Sequence, residues 1–367
     1  MAVVYIGLTG EGRGHAMRAC TIIDHLRRQH RVVVLTHGQA YDLLAPRYRR
    51  TRVRVRRIPG FRNRYDRQHR LAYAATACHA VPALARMPET LRRLSDELVA
   101  VEAALVVSDF EPLTIHAAHR AGVPVFSIDH QGCMLYCDFP QLSLRQRVDL
   151  AWHRTVIGRL WGKPDRVVIS GFHLPELERP DQRISRVGVL LRDEVLEATP
   201  TLGDHLTAYV RAGCSTAFLE TLHATGREVR IYGIGSLPDH GRLRFRGVST
   251  SGFLRDLASS VALVTTAGNQ LVGEALYLGK PVLGLPEPRN FEQELNGHLL
   301  ELSGCGISVG FPELTPRTVL AFLERRDDYV QRIDRNWLRG NERVFELLDQ
   351  QLGQPDSART GTVELAA

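Results

Sequence analysis

The chain has 367 residues, 44% of them hydrophobic and 24% charged, with a formal net charge of +7. That length suits two domains, each large enough to bury a core of its own. No apolar run approaches the ~18 residues that span a bilayer. The N-terminus lacks the basic flank and small-residue cleavage site of a secretory signal. The six scattered cysteines form neither a disulfide framework nor a zinc site, so a cytoplasmic protein without a metal is expected.

From the N-terminus, buried strands alternate with amphipathic helices. "AVVYIGL" reads as a strand, "HAMRACTIIDHLRRQ" as a helix, "RVVVLTHG" as a second strand and "TRVRVRRI" as a third. Residues 71–103 have a helical pattern interrupted by Pro82 and Pro88; "AALVVSDFEP" is a strand ending in an acid, "LTIHAAHRAG" a helix closed by Gly122, and "VPVFSIDHQ" a further strand. An Arg-rich helical stretch over 143–162 precedes the strand "DRVVISGF". Strands alternating with helices predict parallel sheets, and strands without polar alternation predict burial on both faces.

"HLPELERPDQR", with two prolines and five charged side chains, is the best linker candidate, and beyond it the strand–helix pattern restarts. The expected organisation is a first domain over 1–173, a linker over 174–186, a second domain over 187–340, a C-terminal helix over 341–352 and a disordered tail over 353–367. Two such domains leave a cleft between them, and ligands of doubly wound sheets bind beyond the carboxyl ends of the strands.

The positive charge is concentrated. Arg47 to Arg70 holds eleven arginines and one acid, Asp66. It reads either as an Arg-coated strand and loop or as a patch for an anionic membrane surface or a negatively charged substrate. Nucleic acid is not expected, since no helix-turn-helix, zinc finger or aromatic RNA-binding signature is present.

"GLTGEGRGHAMRA", residues 7–19, places four glycines between the first strand and the first helix. It lacks the GxxxxGK[ST] of a phosphate loop and the GxGxxG of a dinucleotide turn. Gly12 and Gly14 keep the turn slim, as if the backbone must come close to a ligand. His15 falls in the first helical turn, where the positive helix end favours the neutral imidazole that a general base requires. Asp109, ending another strand, can reach the same sheet edge and orient it. The plainer readings are a loop histidine bonded to backbone, and an Asp109 that caps the helix near Pro112. Arg18, one turn on, either fixes the loop or faces a phosphate.

"TTAGNQLVGEALYLGKPVLGLPEPRNFEQELNG", residues 265–297, is the most informative stretch. Gly268, Asn269 and Gln270 at a helix start offer free N–H groups to a phosphate. Glu274, inside the helix, suits ribose hydroxyls, and Glu292, Gln293 and Asn296 follow the next strand, where they suit a sugar.

Here the chain resembles the GT-B glycosyltransferases, above all the lipid-linked N-acetylglucosaminyltransferases of peptidoglycan synthesis and the antibiotic and plant UDP-glycosyltransferases. Gly268, Glu274, Gly279-Lys280-Pro281, and Gln293 with Asn296 follow the donor motif of those enzymes. The N-terminal turn is similar to a bacterial subfamily with the signature GxGRGHxxR. The "SDF" acid Asp109, "GVPVFSIDHQ" with Asp129 and His130, and the "VGVLLR" that opens the second domain extend the likeness. It is thin only over 40–105 and 135–165. Where many relatives carry a phosphate-contacting His, this chain has Thr266, which shifts phosphate binding to backbone N–H groups and to Arg192 or Arg289.

The resemblance implies an α/β GT-B fold, two Rossmann-like domains facing each other across a cleft. It implies an inverting, metal-independent transfer without a cofactor, from a UDP-sugar co-substrate to a hydroxyl or amine of a small-molecule or lipid-linked acceptor. His15 oriented by Asp109 would be the base. Gly12, Gly14, Arg18, Asp129 and His130 would line the acceptor side. The donor would be held by Thr266, Gly268, Asn269, Gln270, Glu274, Glu292, Gln293 and Arg192. Two alternatives remain open at this point: a nucleotide-sugar 2-epimerase of the same fold, and a non-catalytic membrane-surface or polyanion-binding protein acting through Arg47–Arg70.

Overall fold

The structure, a computed structural model, describes residues 1–60, 73–210, 215–247 and 249–353. The first unit runs β1 (Val3–Leu8), α1 (Arg13–Leu26), β2 (Arg31–Thr36), α2 (Gly38–Tyr48), β3 (Arg54–Arg57), α3 (Tyr73–Ala100), β4 (Leu105–Asp109), α4 (Pro112–Ala121), β5 (Val125–Asp129), α5 (Gly132–Tyr136), α6 (Leu144–Leu160), β6 (Arg166–Ser170) and β7 (Ile184–Val187). Its strands pair in parallel, in the order β3-β2-β1-β4-β5-β6-β7.

β1, β4 and β5 are buried almost throughout because both faces are covered. Val4, Ile6 and Leu8 face Ile22 and Ile23 of α1 and Leu44 of α2, while Tyr5 joins Leu94 and Leu98 of α3 and Ile115 of α4 on the other face. β3 is an edge strand with three exposed arginines. α4 ends as its sequence predicts, on Gly122 in the left-handed region at φ 68°.

The second unit runs α7 (Asp193–Leu196), β8 (Leu206–Tyr209), α8 (Thr216–Ala224), β9 (Val229–Tyr232), β10 (Leu243–Phe245), α9 (Thr250–Ala258), β11 (Ala262–Thr265), α10 (Asn269–Tyr277), β12 (Val282–Gly284), α11 (Phe291–Ser303), β13 (Gly306–Ser308), α12 (Pro316–Glu324), α13 (Arg326–Gln331), α14 (Arg335–Leu338) and α15 (Asn341–Gly353). Its parallel sheet has the order β10-β9-β8-β11-β12-β13.

Strand order reverses between β1 and β4 in the first sheet and between β8 and β11 in the second. Each reversal opens a crevice at the carboxyl ends of the strands. A continuous apolar cluster joins the units: Val167 and Ile169 of β6 pack in the same cluster as Val272 and Ala275 of α10 and Phe291 of α11. α15 returns to the first unit, where Val344, Leu347 and Leu348 complete the core over α1 and His25 stacks on Phe345 at 4.1 Å.

Several elements differ from the sequence reading. α2, α5 and β13 are elements that the sequence pattern does not announce. The expected linker over 174–186 runs into β7, which pairs with β6 as the last strand of the first sheet. α3 continues through both prolines as one helix. The tail from residue 354 lies outside the described residues, and among those described no helix is long and apolar enough to cross a membrane.

Candidate active site

The first crevice holds His15 and Asp109. The β1–α1 turn is built for close approach: a Cβ on Gly7 would lie 2.1 Å from Thr114 Oγ1, and one on Gly10 2.3 Å from the His37 carbonyl. Gly12 takes φ 76°, which L side chains rarely adopt, and starts α1 with no side-chain cap. His15 therefore sits in the first turn of α1, at the end of the sheet where β4 delivers Asp109.

His15 Nδ1 lies 2.8 Å from Asp109 Oδ1. The carboxylate is 1% exposed, whereas the imidazole keeps 15% of its side-chain surface accessible, so one member is structural and the other meets the cleft. Arg18 completes the group. Its Nε donates to Asp109 Oδ2 at 2.9 Å and its Nη2 to Oδ1 at 2.6 Å, with Nη2 also 3.0 Å from His15 Nδ1. Burial would raise the Asp109 carboxyl, but the charges and hydrogen bonds of Arg18 and His15 outweigh it and hold it below the usual range. α4 is capped by Glu111, whose carboxylate accepts from Leu113 N and Thr114 N, which leaves Asp109 to His15.

The second crevice presents the start of α10. Gly268 is its N-cap, with no side-chain cap and no acid in the first turn. α1 begins in the same way, and a Cβ on Gly14 would lie 3.4 Å from Gln270 Cβ. Two uncapped helix N-termini thus meet across the cleft. By contrast α4, α6, α8, α9, α11 and α12 all have side-chain caps. Left-handed non-glycine residues follow two strand ends here, Phe110 after β4 and Ala267 after β11, and Arg289 takes the same conformation in the loop before α11. Such backbone strain clusters at functional sites.

The residues expected on the donor have more structural work than the sequence suggests. Glu274 is buried and held by Arg192, whose Nε and Nη2 donate to its two oxygens at 3.1 and 2.7 Å. In this structure, then, the carboxylate meant for ribose and the guanidinium meant for phosphate hold each other. The Asn269 amide spans the units, donating to Ser170 O and accepting from Phe172 N, and Gln270 Nε2 donates to Leu190 O. Gln293 closes its own loop through Glu287 N at 2.7 Å. Thr266 is buried just after β11. Gln270 Oε1 is a buried acceptor without a partner.

Asp129 and His130 do not line an open acceptor surface. Asp129 accepts from Ser127 Oγ and Gly132 N, and burial together with Asp109 pushes its carboxyl up. His130 is 2% exposed and bridges the units, with Nδ1 3.1 Å from Ser170 O and Nε2 2.6 Å from Asn296 Oδ1. Glu292 accepts from Gln131 Nε2 at 3.1 Å across the same boundary. Gln131, absent from the sequence reading, leaves its buried Oε1 without a partner. Its signal was its place directly after Asp129-His130 beyond a buried strand.

Beside Arg192 an interdomain cavity of about 620 Å³ is lined by Met17 and Leu43 from the first unit and Thr250, Ser251 and Leu254 from the second. In the Arg-rich stretch, Arg47 pairs with Asp24 and Glu194, Arg56 with Glu97, and Arg57 with Asp42. Arg49, Arg50, Arg52 and Arg54 are exposed, and Arg62 to Arg70 lie outside the described residues.

Two doubly wound domains meeting over a cleft, with an imidazole on one side and a bare helix N-terminus on the other, define the GT-B class of glycosyltransferases. A family model described as glycosyl transferase family 1 matches residues 1–326, and the chain belongs to that family. An uncharacterised glycosyltransferase of Methanosarcina mazei is 25% identical, with 96% of this chain and 99% of that protein covered. The glycosyltransferase of kitacinnamycin has a similar fold, with TM-score 0.68 at 18% identity over 96% of this chain and 99% of that one. So has UGT2 of Phytolacca americana, solved with UDP-2-fluoro-glucose and pterostilbene, with TM-score 0.65 at 14% identity over 96% of this chain and all of that one.

Proposed function

We propose that the protein is an inverting glycosyltransferase that moves a sugar from a UDP-sugar to a hydroxyl or amine of a small-molecule or lipid-linked acceptor. The observation that carries this reading is the His15–Asp109 pair at the mouth of the cleft, opposite the uncapped start of α10. A base is needed on the acceptor side, and His15 presents its free Nε2 edge there while Asp109 holds Nδ1. The acceptor oxygen or nitrogen attacks the anomeric carbon as its proton passes to Nε2. The bond to the diphosphate breaks with inversion, and the departing charge falls on the N-termini of α10 and α1.

The interdomain cavity shares Arg192 with the donor residues but is lined by neither His15 nor the start of α10, so it is not the site of the transfer itself. The unpartnered acceptors on Gln131 and Gln270 suit hydroxyl donors of the two sugar rings. Engaging ribose through Glu274 requires Arg192 to release it, which frees the guanidinium for phosphate. UDP in a UDP-sugar complex of a protein of similar fold supports the choice of nucleotide.

The test incubates the protein with UDP-glucose and UDP-N-acetylglucosamine, with and without a panel of phenolic and aliphatic alcohols. Acceptor-dependent release of UDP is the expected result. A new epimer of the donor formed without any acceptor points instead to the 2-epimerase reaction and overturns the reading.

A further inference from the structure

The third member of the His15–Asp109 group has no part in the transfer as written above, and its geometry gives it one. Arg18 is 2% exposed and lies on α1 beneath His15, gripping both oxygens of Asp109. Asp109 Oδ1, Arg18 Nη2 and His15 Nδ1 form a closed triangle with sides of 2.6, 3.0 and 2.8 Å. A histidine paired with an isolated carboxylate gains basicity, because the negative charge favours the imidazolium. Here the carboxylate is already neutralised, and a cation stands 3.0 Å from the ring nitrogen.

The triangle also offers Nδ1 two partners of opposite kind. When Nδ1 carries the proton it donates to Asp109 Oδ1, and Nε2 is free to accept. When Nδ1 is bare it can accept from Arg18 Nη2, and Nε2 carries the proton and cannot act as a base. The imidazolium has only the carboxylate, against repulsion from the guanidinium.

We propose that Arg18 is a positioning residue that sets the pH range in which His15 is a competent base, by cancelling the charge of Asp109 and contesting Nδ1. This rests on His15 being the base. The other titratable groups facing the triangle are Asp129 from the end of β5 and Glu292 from α11, both of which act on Arg18, His130 after β5, on which Arg18 acts, and Glu111 beyond Asp109, which is committed to capping α4.

The experiment is the pH profile of kcat/KM for wild type and Arg18→Met, together with NMR titration of His15, its resonances assigned by their loss in His15→Gln. Removing one charge within ~4–6 Å shifts a pKa by roughly 1–3 units. Arg18→Met leaves Asp109 unopposed, so the His15 midpoint and the acid limb of kcat/KM move up by about 1–2 units. Activity lost on the acid side returns as pH is raised. Arg18→Lys, which keeps the charge but not the fork, leaves the limb within about half a unit of wild type while lowering kcat.

Should Arg18→Met fail to fold, the same comparison is made between Asp109→Asn and the Arg18→Met/Asp109→Asn pair, where the pair has the higher midpoint. Equal midpoints within either comparison, or a uniform fall in rate at all pH with the limb unmoved, overturn the inference. Near-wild-type activity in His15→Gln overturns instead the base assignment on which it rests, while the NMR comparison still reads the effect of Arg18 on the ring.

Discussion

Replacing Asp109 by Asn should damage activity and stability together, whereas replacing His15 by Gln should damage activity alone. Asp109 is 1% exposed and pairs with Arg18, itself 3% exposed at its side chain. Breaking a buried ion pair by removing one partner costs ~3–5 kcal/mol, because the other charge is left buried and uncompensated. That is a large share of the ~5–15 kcal/mol that holds a typical domain together.

His15 contributes one hydrogen bond, worth about 0.5–1.5 kcal/mol. On activity the two variants converge. Loss of a general base costs ~10²–10⁴-fold in kcat, or roughly 2.7–5.5 kcal/mol at the transition state, and loss of the group that fixes its tautomer costs a similar amount.

pH separates them further. The Asp109 carboxyl is held below its unfolded value, so its contribution to stability is complete above pH ~4 and is lost as pH falls through the depressed folded value. The stability gap between wild type and Asp109→Asn should therefore close in acid. The assay is denaturant unfolding of both variants at pH 7 and at pH 3, alongside kcat at pH 7. An Asp109→Asn protein as stable as wild type, or a His15→Gln protein destabilised just as much, refutes the description of a buried clamp carrying an accessible base.

Three further outcomes follow from the same geometry. Gly7→Ala drives a Cβ to within 2.1 Å of Thr114 Oγ1, so it should cost about 1–3 kcal/mol by overpacking, measured as a shift in denaturation midpoint, with part recovered in Gly7→Ala/Thr114→Ala. Glu274→Gln leaves buried Arg192 without its partner and should lower stability by ~3–5 kcal/mol while weakening UDP binding by calorimetry; unchanged stability contradicts the pairing. If the helix N-termini stabilise the leaving diphosphate, transfer rates should survive EDTA unchanged, and a rate restored only by added Mg²⁺ or Mn²⁺ argues against that role.

Much of this was legible in the sequence because the strands are buried on both faces and announce themselves as unbroken apolar runs. Residues that end such strands, Asp109 among them, must arrive at one edge of the sheet. The meeting of His15 with Asp109 follows from that rule, and the strand order then places both at the crevice.

What pattern could not show is pairing between side chains far apart in the chain. Arg192 and Glu274 are separated by 82 positions, and each alone looks like a ligand contact. The same holds for His130 with Asn296, 166 positions apart, which join the units instead of facing an acceptor. α2 escaped notice because it begins on Gly38 and carries Pro46, both of which punctuate against a helix. β7 and β13 are only four and three residues long, too short for alternation to register.

The central claim is inverting transfer from a nucleoside diphosphate sugar, and the anomeric configuration of the product tests it most directly. With an α-linked UDP-sugar and an acceptor from the panel, the account predicts a β-linked product by ¹H NMR, formed together with UDP and falling ~10²–10⁴-fold in His15→Gln. An α-linked product, or full activity without His15, contradicts it.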